Sequence, residues 1–469
     1  MASLYTGTFV DAPTPAGLRV RRNHLLAVSD QGYIAHIAPL SDPASQALLA
    51  SSPPPTKLAR HSFFLPTFAD LHLHAAQYLY AGTGLDLPLL EWLERYAYRA
   101  EERVDADEQL AERLYGRLVQ RLRENGTGCV VFFGTIGVQA NLILAKKVQE
   151  AGIRAFIGKL SMDESPRPSY GEASPSASLT SLNSFLDSME SYLSQFPPHR
   201  RLVQPIITPR FVPVCSDELL QGLAKVAQDR NVRLQSHMCE GRDQIDMSLK
   251  TKGLDDEKVF DKFGLLGPQT LQAHVTYLDD KLIPLIKDRG VTIAHCPLSN
   301  QYLSERQFPL REALDASLSL GLGTDIAGGY SPSIHTAMRQ AVIISRMREG
   351  DRCESLGCSF GTVKKEEEGG GRSLRVDWKE AVWAATRGGK AGMGLGGALE
   401  VGMEFDVQLI ELASEENPTG TGPLDLFDLA DSQVDTDTDQ WWFDALERWW
   451  SNGDERNRKG MWVQGAKIA

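Results

Sequence analysis

From Phe68 to His74 the chain reads FADLHLH, and the next polar side chain is Gln77. Side chains alternate faces along a strand, so His72 and His74 would leave on the same side and reach one object. An imidazole pair so placed is a metal-ligand geometry, although an HxH taken alone also describes an ordinary half-buried strand pair. The rest of the chain decides between the two. His237 in SHMCE, His274 in QAHVTY and Asp325 in GTDIAGG each stand at the end of an apolar run. Zinc takes nitrogen and carboxylate donors and, where it catalyses, keeps a position for water. Three imidazoles and one carboxylate meet that demand. Singly, each of these residues reads as easily as a hydrogen-bonded core histidine or a helix-capping aspartate; at successive strand ends they point to one metal site.

Glu240 lies three residues after His237, where the chain should be leaving its strand. Alone it reads as a solvated glutamate opening the next helix, where the dipole welcomes it. Beside a ligand histidine it can take a proton from water and hand it to a leaving group. Arg210, in PIITPRF, is either a substrate-facing donor, its guanidinium being always charged and rich in N–H groups, or half of a surface salt bridge. Phe211 either stacks on a flat ring or packs in the core. His295 in AHCPLSN could also face the centre, but four ligands already satisfy zinc. His24, His36, His61, His199 and His335 have no supporting context.

Eight apolar segments recur between Ser62 and Asp325: HSFFLPTFADLHLH, GTGCVVFFGT, IRAFIGKLSMD, RLVQPIITPRF, VRLQSHM, TLQAHVTY, VTIAHCPLSN and LSLGLGTDIAGG. Near-continuous apolar runs suit strands buried on both faces of a parallel sheet. Between them lie helix-like stretches such as DADEQLAERLYGRLVQRLREN and SDELLQGLAKVAQDRN. Eight such units predict an α/β fold of the TIM (β/α)8 type, whose chemistry sits at the carboxyl ends of the strands, where the residues above stand. Strand-like alternation before residue 61 (SLYTGTFV, LRVRRNHLLAVSD) and in the tail (FDVQLIEL, MWVQGAKIA) predicts a small β-sandwich formed by the N- and C-terminal segments. The expected division is 1–61, 62–395 for the barrel, and 396–469. Segments near 165–184, 352–376 and 414–440 read as mobile insertions from their Pro, Gly, Ser and acidic content. WWFDALERWW reads as an exposed segment, an interface or packing.

The composition, 42% hydrophobic and 23% charged over 469 residues, is that of an ordinary globular protein. A net charge of −12 without a cationic stripe argues against nucleic acid. No run reaches the roughly 18 apolar residues of a membrane span. The amino terminus lacks a secretory pattern, so a cytoplasmic location is expected, and six dispersed cysteines without a CxxC favour reduced thiols.

In its HxH, later His, later His and TD pattern the chain resembles the amidohydrolase superfamily, and most closely its guanine-deaminating members. The stretches that carry this are HLHAAQYLYAGTGLDLPLLEWL, TPRF, QSHMCEGRD, AHCPLSN and GLGTDIAGGYSPS. The resemblance implies hydrolysis of guanine, a small-molecule purine, to xanthine and ammonia, with one zinc ion per chain and a homodimeric assembly. Two-ion members of the superfamily commonly bridge their ions with a carboxylated lysine after the fourth strand; here Arg210 stands there, and one ion is implied. Carried over residue by residue, His72, His74, His237 and Asp325 hold the metal. Gln77, Arg210 and Phe211, with His237 and Glu240, contact the purine; Glu240, His274 and Asp325 serve catalysis. On this reading zinc lowers the pKa of its water, hydroxide attacks C2, and Glu240 shuttles protons to a ring nitrogen and the departing amine. The alternatives are deamination of cytosine, adenine or a triazine-like ring, or a catalytically silent scaffold, which damaged ligand positions would have signalled.

Overall fold

The computed structural model describes residues 3–359, 372–412 and 438–469. Residues 360–371 and 414–437 of the insertions read near 352–376 and 414–440 lie outside those residues, and the first segment opens within helix Ile334–Ser355. Eight parallel strands form the barrel: Phe68–His74, Thr127–Phe133, Arg154–Gly158, Val203–Pro205, Leu234–Met238, Thr270–His274, Thr292–His295 and Ser319–Leu322. They pair as two parallel runs of four. Between the fourth and fifth strands the runs are joined by bridges Ile207–Leu234 and Phe211–His237. Between the eighth and first, Asp325 N–H donates to His72 O at 2.8 Å and His74 N–H to Ile326 O at 3.0 Å. The ring is therefore closed by backbone hydrogen bonds, as a TIM-type barrel requires.

Every residue of the first three strands is buried, as is every residue of the fifth, sixth and seventh. This two-sided burial is why the strands read as apolar runs rather than alternating ones. The helix Glu108–Glu124 shows how the outer layer is specified. Asp107 caps it by accepting from Leu110 N–H at 3.0 Å, and Ala111, Leu114, Tyr115, Leu118 and Leu122 recur at helical spacing on its buried face. Helix Asp217–Arg230 is likewise capped by Ser216 and ends on Asn231 in the left-handed conformation (φ 50°).

A second, mostly antiparallel sheet gathers strands from both ends of the chain. Ser3–Thr14 pairs with Gly17–Val28 and, in parallel, with Ser62–Pro66; the latter pairs with Val407–Glu411, and that with Arg458–Val463. Phe9, Leu26, Phe64, Phe405 and Val407 form its core, with Tyr5 and Trp462 against them. The segment HSFFLPTFADLHLH is thus two strands, Ser62–Pro66 in this sheet and Phe68–His74 in the barrel.

Two readings of the sequence are corrected. The segment near 165–184 is no mobile insertion: Tyr170 is buried, Glu172 pairs with the buried Lys159 at 2.7 Å, and a Ser174-capped helix runs over Pro175–Leu193. Its serines misled because a Ser-Pro pair is also a helix start. WWFDALERWW is not exposed: in helix Asp439–Asn452, Trp441, Trp442, Trp449 and Trp450 are all buried, with Trp449 and Trp442 edge-on to Phe63.

Where the second sheet meets the barrel, Asp406 is buried between Arg154 (3.0 Å) and Lys390 (3.5 Å) and accepts from Gln464 N–H at 2.8 Å. Burial alone would raise its pKa, but Arg154 and Lys390 outweigh it and hold the carboxyl well below the usual range. Asp406→Asn is expected to destabilise the chain by about 3–5 kcal/mol, because two buried cations lose their counter-charge. A depressed folded pKa means the carboxylate's contribution is complete above the unfolded value of about 3.9 and is lost as pH falls below it. Urea titrations at pH 7 and pH 3.5 should therefore show a smaller acid-induced loss in the variant than in the wild type.

Candidate active site

The carboxyl ends of the barrel strands bring the chemistry-bearing residues together in one buried cluster. His72 and His74 end the first strand with ring centroids 5.0 Å apart, and His237, on the fifth, lies 4.9 Å from His72 and 5.1 Å from His74. His74 Nε2 faces His237 Nε2 at 3.0 Å. Asp325, just past the eighth strand, places Oδ1 3.1 Å from His72 Nε2 and 3.7 Å from His74 Nε2. His274, at the end of the sixth, has Nε2 3.9 Å from Asp325 Oδ2 and 3.8 Å from Glu240 Oε1.

The close approach is built into the backbone. A side chain at Gly323 would sit 2.8 Å from His72 Cβ and 2.9 Å from Cys296 Sγ, so only glycine lets the eighth strand lie against the first. Asp70, fully buried two residues before His72, accepts from Thr324 N–H at 3.0 Å, from Thr324 Oγ1 and from His72 N–H at 3.2 Å. It fastens both ligand-bearing loops; burial pushes its pKa up to about 7. Cys239, His274 and Asp325 hold left-handed backbone (φ 49°, 69° and 48°), a conformation that costs free energy and clusters at functional sites.

Burial decides the electrostatics. It pushes His72, His74 and His237 well below the ordinary imidazole value, so all three are neutral and keep a lone pair. His237 Nδ1 donates to Arg210 O at 2.5 Å, which leaves the lone pair on Nε2, the atom that faces His74 Nε2. Both nitrogens of His72 and Nδ1 of His74 have no hydrogen-bond partner among the described residues. Unpartnered buried nitrogens converging with a carboxylate are costly unless something electrophilic completes them. His72, His74 and His237 offer atoms within 4.8 Å of one another, as do His237, Glu240 and His274, and the donor chemistry fits a divalent metal ion. Burial, then the charge of Asp325, raises Glu240 well above the carboxylate range.

A pocket opens beside the cluster, lined by His74, Gln77, Leu89, Trp92, Leu93, Arg210, Phe211, His237, Glu240, Gln244 and Asp325. Arg210 is not a surface residue: it is 1% exposed, lies 4.7 Å over the Tyr98 ring and is paired through Nη1 with Glu101. Gln77, fully buried, donates to Glu101 Oε1 at 3.0 Å and accepts from Ala327 N–H at 3.3 Å. Phe211 stands edge-on to His237, with centroids 6.5 Å apart. His295 stacks on Phe308 at 4.5 Å and lies behind His274, with Asn300 between them. His335 is buried against Trp449 and the chain's tail, away from this cluster.

Sequence reasoning left several site residues without a role. Leu89, Trp92 and Leu93 belong to LPLLEWL, whose apolar helical spacing is also that of core. Asn300, which accepts from His274 Nδ1 at 2.9 Å, had only its place in AHCPLSN to mark it. Glu101 sits in the charged run AEERVDADE, which reads as a solvated helix face, and carried no signal.

The amidohydrolase family model matches residues 63–465. The chain is 34% identical to human guanine deaminase, covering all of this chain and 97% of that enzyme, and 35% identical to the mouse enzyme over the same shares. It is also similar to the crystal structure of guanine deaminase from C. acetobutylicum with guanine bound in the active site, at a TM-score of 0.83 and 29% identity over the whole of both chains.

Protein purified without chelator is expected to carry a transition-metal ion by elemental analysis, and His74→Ala to lose it with its circular dichroism unchanged. Asp70→Asn, which touches no metal itself, should weaken metal retention about 10- to 100-fold against a competing chelator.

Proposed function

The chain belongs to the amidohydrolase family, and from that premise we propose that its pocket removes the 2-amino group of guanine by hydrolysis, releasing xanthine and ammonia. The observation that carries this is the pocket itself, lined by a buried imidazole–carboxylate cluster together with the Gln77 amide and the Arg210 guanidinium. That pairing suits a flat, polar-edged ring whose reacting carbon must meet activated water. Similarity over the full chain to enzymes that deaminate guanine, one of them with guanine bound, supports the same substrate.

His72, His74, His237 and Asp325 would hold one zinc ion, a set of nitrogen and carboxylate donors that zinc prefers. When bound, zinc supplies Lewis acidity, bringing the pKa of water at the site toward neutrality. The chain's own groups do the rest. Glu240, whose protonated form is favoured by burial and by the charge of Asp325, can deliver a proton to a ring nitrogen. It then takes the proton that water gives up as its oxygen adds to C2 and passes it to the amino group; as the C2–N bond breaks and ammonia leaves, the hydroxyl proton of the adduct returns to Glu240 and the C2=O bond of xanthine forms. His274 gives its Nδ1–H to Asn300, so Nε2 faces Glu240 and Asp325, where it holds the entering oxygen in line. Gln77 and Arg210 bind the purine edge, Phe211 its face, and Leu89, Trp92 and Leu93 exclude water.

In the same reading the sheet that pairs the two ends of the chain is a small β-sandwich (1–61 and 396–469) around the barrel (62–395); the pairing of Val407–Glu411 with Ser62–Pro66 supports the union of the two ends and carries the sheet's share of the chain on to Pro66. The enzyme works in the cytoplasm in purine breakdown or salvage, which six free cysteines suit, and as a homodimer, which rests on the family resemblance.

Purified protein should convert guanine to xanthine, followed spectrophotometrically, and lose that activity on chelation. Glu240→Gln should retain zinc while turnover falls by about 100- to 10,000-fold. Activity that survives chelation, or turnover unchanged in the variant, would remove the metal or Glu240 from the reaction.

A further inference from the structure

The two groups that face the purine edge are held from behind by a single carboxylate. Glu101 is completely buried on helix Tyr98–Ala106. One of its oxygens accepts from Arg210 Nη1 and the other from Gln77 Nε2 at 3.0 Å. Tyr98, one helical turn earlier, lies beneath the guanidinium at 4.7 Å. With Nη1 engaged, Arg210 Nη2 is buried with no hydrogen-bond partner among the described residues, on a side chain that lines the pocket.

We propose that Glu101 is the positioning residue that sets which purine the site accepts, by locking Arg210 and Gln77 so that Nη2 is presented as an unpaired donor to an oxo group on the ring. The inference rests on the reading of this pocket as the guanine site. A guanidinium only donates. A ring oxygen satisfies Nη2, whereas an amino group at that place sets donor against donor and leaves both buried and unpaired, the arrangement that discriminates most strongly between ring analogues. Glu101 can hold both partners because an ionised carboxylate is acceptor-only at each oxygen. An amide at 101 has one acceptor and one donor end, so it must turn its N–H2 toward either Arg210 Nη1 or Gln77 Nε2, both donors, and one of the two swings out of place.

The test is steady-state ammonia release from guanine and from 2-aminopurine, which has the same reacting amino group and lacks the oxygen; where 2-aminopurine turns over too slowly, it is scored as a competitive inhibitor. In Glu101→Gln, kcat/KM for guanine should fall about 10- to 100-fold, mainly through KM, the loss of one charge-assisted hydrogen bond. The 2-aminopurine constant should move by less than about 3-fold on the same reasoning, with zinc content unchanged. Equal losses on both bases, or a retained preference for guanine, overturns the proposal. Should that variant not fold, Arg210→Gln is compared with the double variant carrying Glu101→Gln as well, which removes both buried charges together. If Glu101 acts through Arg210, the guanine preference of the two is the same; a further drop in preference in the double variant overturns it. A wild type inert on guanine would instead overturn the proposed function, a result this comparison separates by its first control.

Discussion

The seam between the first and eighth barrel strands is the constraint on which the site depends. Two backbone hydrogen bonds, Asp325 N–H to His72 O and His74 N–H to Ile326 O, close the ring at the level of the ligands. Asp70 ties Thr324 to His72 beneath them, and Gly323 permits the contact. Without closure His72 and His74 would face solvent on an edge strand, some 250 residues of chain away from Asp325. Closure converts an alternating pair and a distant aspartate into three donors around one point, and buries them so that the imidazoles stay neutral.

That burial has opposite consequences for the two kinds of side chain in the cluster. It lowers the imidazole pKa values, which frees lone pairs, and it raises that of Glu240, which favours the protonated form that a proton shuttle passes through. Metal holding and proton transfer therefore come from one physical cause, removal from water, acting on residues of opposite charge type. The left-handed backbone at His274 and Asp325 is tolerated because the surrounding strands overdetermine it.

The group around Arg210 is organised by charge instead. Arg210 remains ionised in the interior because Glu101 and the face of Tyr98 compensate the loss of water, and Gln77 shares the same carboxylate. A buried ion pair of this kind adds little net stability and much orientation. It holds a recognition surface rigid in a pocket that it shares with the imidazole–carboxylate cluster and with the apolar Leu89, Trp92, Leu93 and Phe211, while the Asp406, Arg154 and Lys390 cluster joins the barrel to the flanking sheet.

By itself the sequence determined the local facts. Period-two spacing put His72 and His74 on one face, two-sided burial wrote the barrel strands as apolar runs, and stretches such as DADEQLAERLYGRLVQRLREN and SDELLQGLAKVAQDRN read as helices; each is set by neighbours within a few positions. It also carried enough motif, from HLHAAQ to GLGTDIAGG, to expose the family. It could not say that Ser174 and Pro175 begin a helix rather than a loose insertion, nor that the four tryptophans of the last helix face inward, because both depend on what lies opposite. Least legible was Glu101, whose neighbours in AEERVDADE are those of any solvated helix face, yet whose partner Arg210 is 109 residues away. Only the tertiary structure could decide that this glutamate is buried, since the free energy of a buried charge is fixed by the counter-charge that the fold delivers to it and not by the residues on either side.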